Sequence, residues 1–451
     1  MTADVLKRLR DEIADIGPAR PLARVAEAGR GLLRVTGTGR DWRMGDRVVI
    51  RGSLAAIGGE IVVLDERGAG ILTDEPPDGI RLGDPVEPGE GGRIAPHAGW
   101  IGRILDPFGA PLDGRPLAGG GLPRPLRNAP PAAATRRRLG ARLETGMRVF
   151  NTLLPLVRGQ RIGLFAGSGV GKSTLLANFA REVEADVTVV ALIGERGREL
   201  RAFVEDVLGP EGLARTVVIA ATSDQSPLIR RRCAWTAMAA AEHFRDEGRQ
   251  VLFLADSITR LAEAHREIAL AAGEPASFRG HPPSMSHLVM SLAERAGPGP
   301  EGAGDITALF SVLVAGSDME EPVADVLRGA LDGHVVLDRA IAERGRYPAV
   351  DLLRSVSRSL PEAADPAENR LIGAARKLLG AYDRAELMIR AGLYQEGSDP
   401  LVDAAVRVWA ELDAFLAEAE PGSSRDSFAR LAAIIARARL PEGPRGEGPP
   451  G

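Results

Sequence analysis

The sequence predicts an α/β fold with a parallel sheet at its centre, a small N-terminal β-barrel before it and a C-terminal helical domain after it. Three observations carry this. Continuous apolar runs alternate with helical patterns through the middle of the chain, as expected for strands buried on both faces. Short β-like runs broken by Gly and Asp precede them, and beyond about residue 366 the pattern is helical. With 451 residues, 44% hydrophobic and 26% charged, the chain is long enough for two or three domains with ample cores.

The first segment, 1–22, holds an amphipathic helix. Val5, Leu9, Ile13 and Ile16 share one face within residues 1–16, with charges opposite. Such a helix either docks on its own protein or serves as an arm for a partner or a membrane surface. Residues 23–95 read as the barrel, from the runs Leu32–Thr36, Arg47–Arg51, Glu60–Leu64 and Gly70–Thr73. The barrel lacks the paired aromatics on which nucleic-acid barrels stack bases. A Gly/Pro-rich extended connection, Gly119–Pro131, lies inside the next segment, 96–365. That segment carries the apolar runs Arg161–Ala166, Val187–Ile193, Thr216–Ala220, Val251–Ala255 and Ile306–Val314. Residues 366–440 form the helical domain, and 441–451 is a Pro/Gly-rich tail expected to be disordered.

Composition narrows the function classes. A formal net charge of −4 gives no global footprint for nucleic acid, and no nucleic-acid partner is expected. The local clusters Arg136–Arg138 and Arg230–Arg232 are expected on solvated faces or at subunit contacts. One cysteine, Cys233, excludes an intramolecular disulfide framework. No apolar run reaches membrane-span length and no signal peptide is read at the start, so the cytoplasm is the expected compartment.

Only three of the 57 basic residues are lysine, and one of them, Lys172, closes Ala166-Gly-Ser-Gly-Val-Gly-Lys-Ser173. Between a buried strand and a helix beginning near Thr174, this is a phosphate-binding turn. Backbone amides of Gly167, Ser168, Gly169, Val170, Gly171, Lys172, Ser173 and Thr174 would face the anion, with glycine avoiding Cβ clashes. Lys172 would reach the β- and γ-phosphates of ATP, and the Ser173 hydroxyl would ligate Mg²⁺. The apolar strand Val251–Ala255 ends in Asp256, where an acid holds Mg²⁺ through its water shell; Asp256 is also placed to cap the next helix. Glu195, at the end of another strand, is placed to polarise the attacking water. Its neighbour Arg196 would steady that carboxylate or the phosphate.

These segments, with Leu143–Arg148, Ala221–Pro227, Asp256–Arg260, Arg346–Asp351 and Ser355–Arg358, resemble the RecA-like rotary and export ATPase family across roughly residues 25–415. Within it the chain looks most like the flagellum-specific ATPases of type III protein export. The resemblance implies a RecA-like ATPase core, Glu195 as catalytic carboxylate and Lys172 on the phosphates. It also implies that Arg358 is inserted into the neighbouring subunit's site. It further implies a cytoplasmic homohexamer, peripherally associated with the inner membrane, that serves export chaperones and substrates at the export gate. A regulator dimer would bind residues 1–16, and a stalk protein would meet the loop Ile389–Asp399 at the pore.

Two departures stand out. Asn151 replaces the family's usual acid after Thr145-Gly, expected to alter a structural contact. Downstream of Arg358, Asn369-Arg370 stands where rotary β-subunits carry an aromatic over adenine, so base discrimination is expected to be loose. Other readings stay open: an injectisome ATPase, a rotary catalytic subunit, or an RNA translocase sharing Asp256–Arg260. The missing acidic loop at 389–399 counts against the rotary reading, and the aromatic-poor barrel and the acidic chain count against the last.

Overall fold

The computed structural model describes residues 22–29, 31–53, 55–314, 319–420 and 422–440. The expected helix at 1–16 and the tail at 441–451 lie outside the described residues. Contacts divide the chain into two units: residues up to Gly92 with Ile268–Glu274, and Arg93–Glu267 with Pro275 onward.

The first unit is a closed barrel. Its strands are β1 (Ala23–Gly29), β2 (Leu32–Thr36), β3 (Arg47–Arg51), β4 (Ala56–Asp65), β5 (Gly68–Thr73) and β6 (Pro85–Pro88), in the order β1-β2-β5-β4-β3-β6. Alternation fills it: Val48 and Ile50, Val25, Leu33, Val35, Ile71 and Val86 point inward. Gly68 (φ +119) is fixed by crowding, since a Cβ there would strike the Val35 carbonyl. β1 and β6 were not read from the sequence. One carries charge and alanine and the other is bounded by prolines, so neither shows an apolar run.

The second unit is built on one sheet. In chain order its strands are β7 (Arg103–Leu105), β8 (Arg161–Ala166), β9 (Val187–Glu195), β10 (Thr216–Thr222), β11 (Val251–Asp256), β12 (Asp305–Leu313), β13 (Gly333–Leu337) and β14 (Val350–Ser357). They lie in the order β14-β13-β8-β12-β11-β9-β10-β7. The sheet is parallel from β13 to β7, while β14 runs antiparallel on one edge and Gly297–Pro298 pairs antiparallel with β12. The central strands are buried along almost their whole length, as their unbroken apolar runs require. The edge strands were missed because β7 is too short for a periodic signal and β14 alternates apolar with charged residues.

Helices α1 (Lys172–Glu182), α2 (Gly197–Ala202), α3 (Pro227–Asp246), α4 (Ile258–Ala271), α5 (Ser284–Arg295) and α6 (Pro322–Ala330) belong to the crossovers. α3 starts where Ser226 accepts from the Ile229 amide and Pro227 takes the first turn. It also overturns the expectation for Arg230–Arg232. Arg231 and Arg232 are 5% and 7% exposed; Arg231 lies over Trp235 and Arg232 over Phe108. Arg230 pairs with Glu267 at 2.9 Å. In the other cluster, Arg137 pairs with Asp305 at 2.6 Å and Arg136 with Glu294 at 3.4 Å. Tertiary packing absorbs the Arg231 and Arg232 guanidiniums through their flat apolar faces, which charge counting does not register, while Arg137 and Arg138 stay exposed.

The C-terminal helices α7 (Pro366–Arg390), α8 (Pro400–Phe415) and α9 (Ser424–Ala438) pack through Leu378, Leu412, Phe415, Leu431 and Ile434. α7 opens with a capping box, Asp365 and Glu368, and a bidentate pair from Arg142 to Glu368, 3.0 Å on each arm, ties that end to the core.

Candidate functional site: a phosphate loop with convergent acids

The parallel register brings three strand ends together. β8 ends at Ala166, and the chain turns through Gly169 (φ +78) and Gly171 (φ +86) into α1. The helix begins at Lys172, two residues earlier than the sequence reading, and no side chain caps it. Its first amides therefore face outward beside the exposed Ser168, Gly169, Ser173 and Thr174, while Val170 is buried and anchors the turn. Uncapped amides at a helix N-terminus favour a phosphate.

Asp256 ends β11, two strands away, and is 3% exposed. The Lys172 ammonium pairs with its Oδ1, which also accepts from the Ser311 hydroxyl on the intervening β12 at 2.7 Å. The ammonium is thus parked on a carboxylate, ready to exchange it for phosphate oxygens. Asp256 does not also cap α4: Ser257 does, accepting from the Arg260 amide at 3.4 Å.

Glu195 ends β9. The pairing with β10 slips between Ile193 and Glu195, and Gly194 takes φ +70, a bulge that turns the Glu195 side chain toward the loop. With Ser173, Glu199, Phe203 and Asp256 it lines a small cleft of about 90 Å³. Burial first, then the Asp256 charge, push the Glu195 carboxyl up to about 7, with Lys172 opposing and Glu199 adding to the rise. A carboxylate poised near neutrality suits proton transfer from water.

Two other residues fall elsewhere. Arg196 does not contact Glu195; it is 63% exposed and pairs with Glu199 at 3.4 Å. Arg358 follows β14 on the edge of the sheet. β13 and β14 pair Leu337 with Val350 at the phosphate-loop end and Gly333 with Ser357 at the other. Arg358 donates its amide to Asp332 and its guanidinium to Arg328, so it sits about 17 Å along the sheet from the level of Ala166. It is exposed and is not part of its own chain's cleft.

One residue escaped the sequence reading. The ring of Tyr347 lies over the loop: a Cβ on Gly171 would be 3.1 Å from its Cδ1, and the side chain is 51% exposed. The aromatic sought near Asn369 is absent there; Asn369 instead donates to Pro361 and Ala364 and closes the approach to α7. An aromatic just before proline, in a chain with only 4% aromatics, was the available signal. Asn151 behaves as expected of a structural contact, since its Oδ1 accepts from the amide and hydroxyl of Thr145.

Comparison with known proteins fits this geometry. Residues 146–357 match the ATP synthase alpha/beta family, nucleotide-binding domain, and 364–433 match the T3SS EscN ATPase C-terminal domain. The "Flagellum-specific ATP synthase" of Caulobacter vibrioides is 45% identical over 95% of this chain and 99% of that protein. The chain belongs to the type III export ATPases, on their flagellum-specific branch. The export ATPase is therefore an ATP hydrolase with a RecA-like core. The branch is close to its sister: the "Type 3 secretion system ATPase" of Pseudomonas syringae pv. syringae is 44% identical over 81% of this chain and 83% of that one. Among solved structures, the assembled EscN of enteropathogenic E. coli, in complex with its central stalk EscO, superposes with a TM-score of 0.83. Identity there is 34%, covering 92% of this chain and all of that one. The C-terminal match to an export ATPase separates this chain from the catalytic subunits of rotary complexes.

Proposed function

We propose that the export ATPase hydrolyses Mg-ATP as a homohexamer to energise flagellar type III protein export, releasing substrates and chaperones for the export gate. The observation that carries this is the convergence of Lys172, Asp256 and Glu195 on one end of the sheet, with Arg358 held away from it on an open edge. The amides of 167–174 and Lys172 hold the phosphates. The Ser173 hydroxyl and the Asp256 carboxylate are hard oxygen donors that suit Mg²⁺. When bound, Mg²⁺ neutralises charge on the β- and γ-phosphates. Glu195 takes the proton of the attacking water, and Arg196 stands at the rim.

Arg358 acts in the neighbouring subunit's site. Its distance from its own loop supports this, as do Leu353 and Val356, which expose 39% and 43% of their surface on the same edge strand. Hydrolysis per subunit is expected to rise with protein concentration; constant specific activity on dilution would count against the arrangement. Tyr347 offers a face for the nucleotide base. Tyr347→Ala is expected to raise KM for ATP about five- to hundredfold, the worth of one stacked base, while Tyr347→Phe keeps it. Steady-state kinetics of both variants check this, and an unchanged KM for the alanine variant removes the assignment.

The loop after α7 faces a stalk protein at the pore. Leu387 (82% exposed) and Met388 in the last turn of α7 and Leu393 (74% exposed) in the loop offer apolar side chains, in keeping with the stalk bound by EscN. Residues 1–16 bind the regulator dimer, and the enzyme works in the cytoplasm at the inner membrane. Among the described residues no helix is long and apolar enough to cross a membrane. Cells carrying Lys172→Ala test the whole reading: flagellar filaments and secreted filament protein are both expected to be lost. Normal filaments beside a purified variant without ATPase activity would favour the injectisome reading.

A further inference from the structure

A second cavity lies apart from the nucleotide site. It is an open cleft of about 700 Å³ between the 338–353 segment and helices α7 and α8. Its floor is apolar, with Leu379 and Leu416 buried, and one wall is an aromatic slab in which Tyr382 and Trp409 stack at 4.5 Å and 18°. Arg344 lies 5.8 Å over the Trp409 ring, which places a guanidinium on this slab within the chain itself.

The charge on the rim is one-sided. Carboxylates outnumber guanidiniums six to three among the lining residues. Arg346 is committed to the fold, paired with Asp413 at 2.9 Å and donating to the Pro348 and Val350 carbonyls. Arg344 and Arg390 share Glu386 at 3.8 and 3.7 Å, and exposed Asp383 makes no ion pair among the described residues. A cation entering here meets Asp383 beside Glu386, whose two guanidinium partners stand 3.7–3.8 Å away, above an apolar floor.

The cleft also has a route to the nucleotide. Arg346 forms part of its wall, and the next residue, Tyr347, packs on Gly171 of the phosphate loop. Anything that moves the 344–348 segment moves the ring over that loop.

We propose that this cleft binds an extended polypeptide segment of a partner, one that carries arginine or lysine beside apolar residues, and that its occupancy is coupled to nucleotide binding through Arg346 and Tyr347. The apolar side chains lie on the Leu379 and Leu416 floor against Trp409, and the cation lies on Asp383 and Glu386. The mixed floor and rim, in a cleft this open, suit a chain segment better than a compact ion.

A fluorescein-labelled short peptide of alternating Leu and Arg, titrated into the full-length nucleotide-free protein and followed by anisotropy, tests this. Saturable binding is expected. It should weaken about tenfold or more in Asp383→Lys, whose side chain is exposed, and it should be absent for the matching Leu and Glu peptide. A saturating amount of the basic peptide should shift the affinity for a non-hydrolysable ATP analogue, and the analogue should shift peptide affinity by the same factor. Equal binding by the charge-reversed protein or by the acidic peptide overturns the site. Competition by free arginine amide at the peptide's own concentration overturns the polypeptide assignment. Identical analogue affinity with and without bound peptide overturns the coupling.

Discussion

Arg358→Ala protein is expected to bind nucleotide normally and to lose about 10³- to 10⁵-fold in kcat, the range for removing an arginine that stabilises charge on a transferring phosphoryl group. The geometry makes a sharper demand. Arg358 stands at the far end of β14 from its own phosphate loop, so under the proposed arrangement a subunit lacking Lys172 would still offer its neighbour an intact arginine. Arg358→Ala and Lys172→Ala are each expected to be inactive alone, yet an assembled mixture of the two should regain hydrolysis. In a random equimolar ring about a quarter of the interfaces join a good loop to a good arginine, which sets the ceiling for recovery. If Arg358 served its own chain, each subunit of the mixture would lack one essential group and no activity would return. A coupled ATPase assay on the mixture decides between the two.

Glu195→Gln is expected to cost about 10²- to 10⁴-fold in kcat while leaving nucleotide affinity within a small factor, because the amide is isosteric but takes no proton. The wild-type enzyme carries a pH signature of the same residue. Its carboxyl is raised from 4.5 to about 7 by burial and by Asp256. If Glu195 is the base, only its deprotonated form works, so kcat/KM should rise with pH and level off above about 7. Stability runs the other way. A folded-state value above the unfolded one gives a contribution that is fully present below about pH 4.5 and is lost as pH rises through about 7. Glu195→Gln should therefore flatten the pH dependence of the thermal midpoint over that window and be the relatively more stable protein at pH 8. A wild-type kcat/KM profile flat from pH 6 to 8 would sink the base assignment.

Much of this site was legible in the sequence, and unevenly so. The phosphate loop is a local object: strand, glycine turn and helix start are contiguous from Arg161 to Glu182, and the left-handed glycines needed by the turn are written in the chain. Glu195 and Asp256 were found because each ends an apolar run, and in a parallel sheet all such ends lie on one side. Asp256 was expected to share its duties with a helix cap, and the structure gives the cap to Ser257 because the carboxylate is already taken by Lys172 and Ser311.

The residues that went astray depend on contacts between distant segments. Arg196 reads as a partner of its neighbour Glu195, but the bulge at Gly194 turns Glu195 inward and leaves Arg196 outside with Glu199. Arg231 and Arg232 read as a solvated or subunit-contact cluster and are packed against Trp235 and Phe108 within the chain. Tyr347 lies in the family-like segment Arg346–Asp351 without a role read for it, and it covers a loop about which that segment carries no information.

By itself the sequence determined what short-range physics can encode: the glycine conformations of the loop, the apolar strand runs and the lysine placed at the start of α1. Only the tertiary structure decided which distant groups meet. Lys172 and Asp256 are 84 residues apart and touch because β8, β12 and β11 are neighbours, and Arg358 leaves its own site because β14 runs antiparallel to β13. Strand order and direction come from burial summed over the whole sheet, a quantity that no single segment contains.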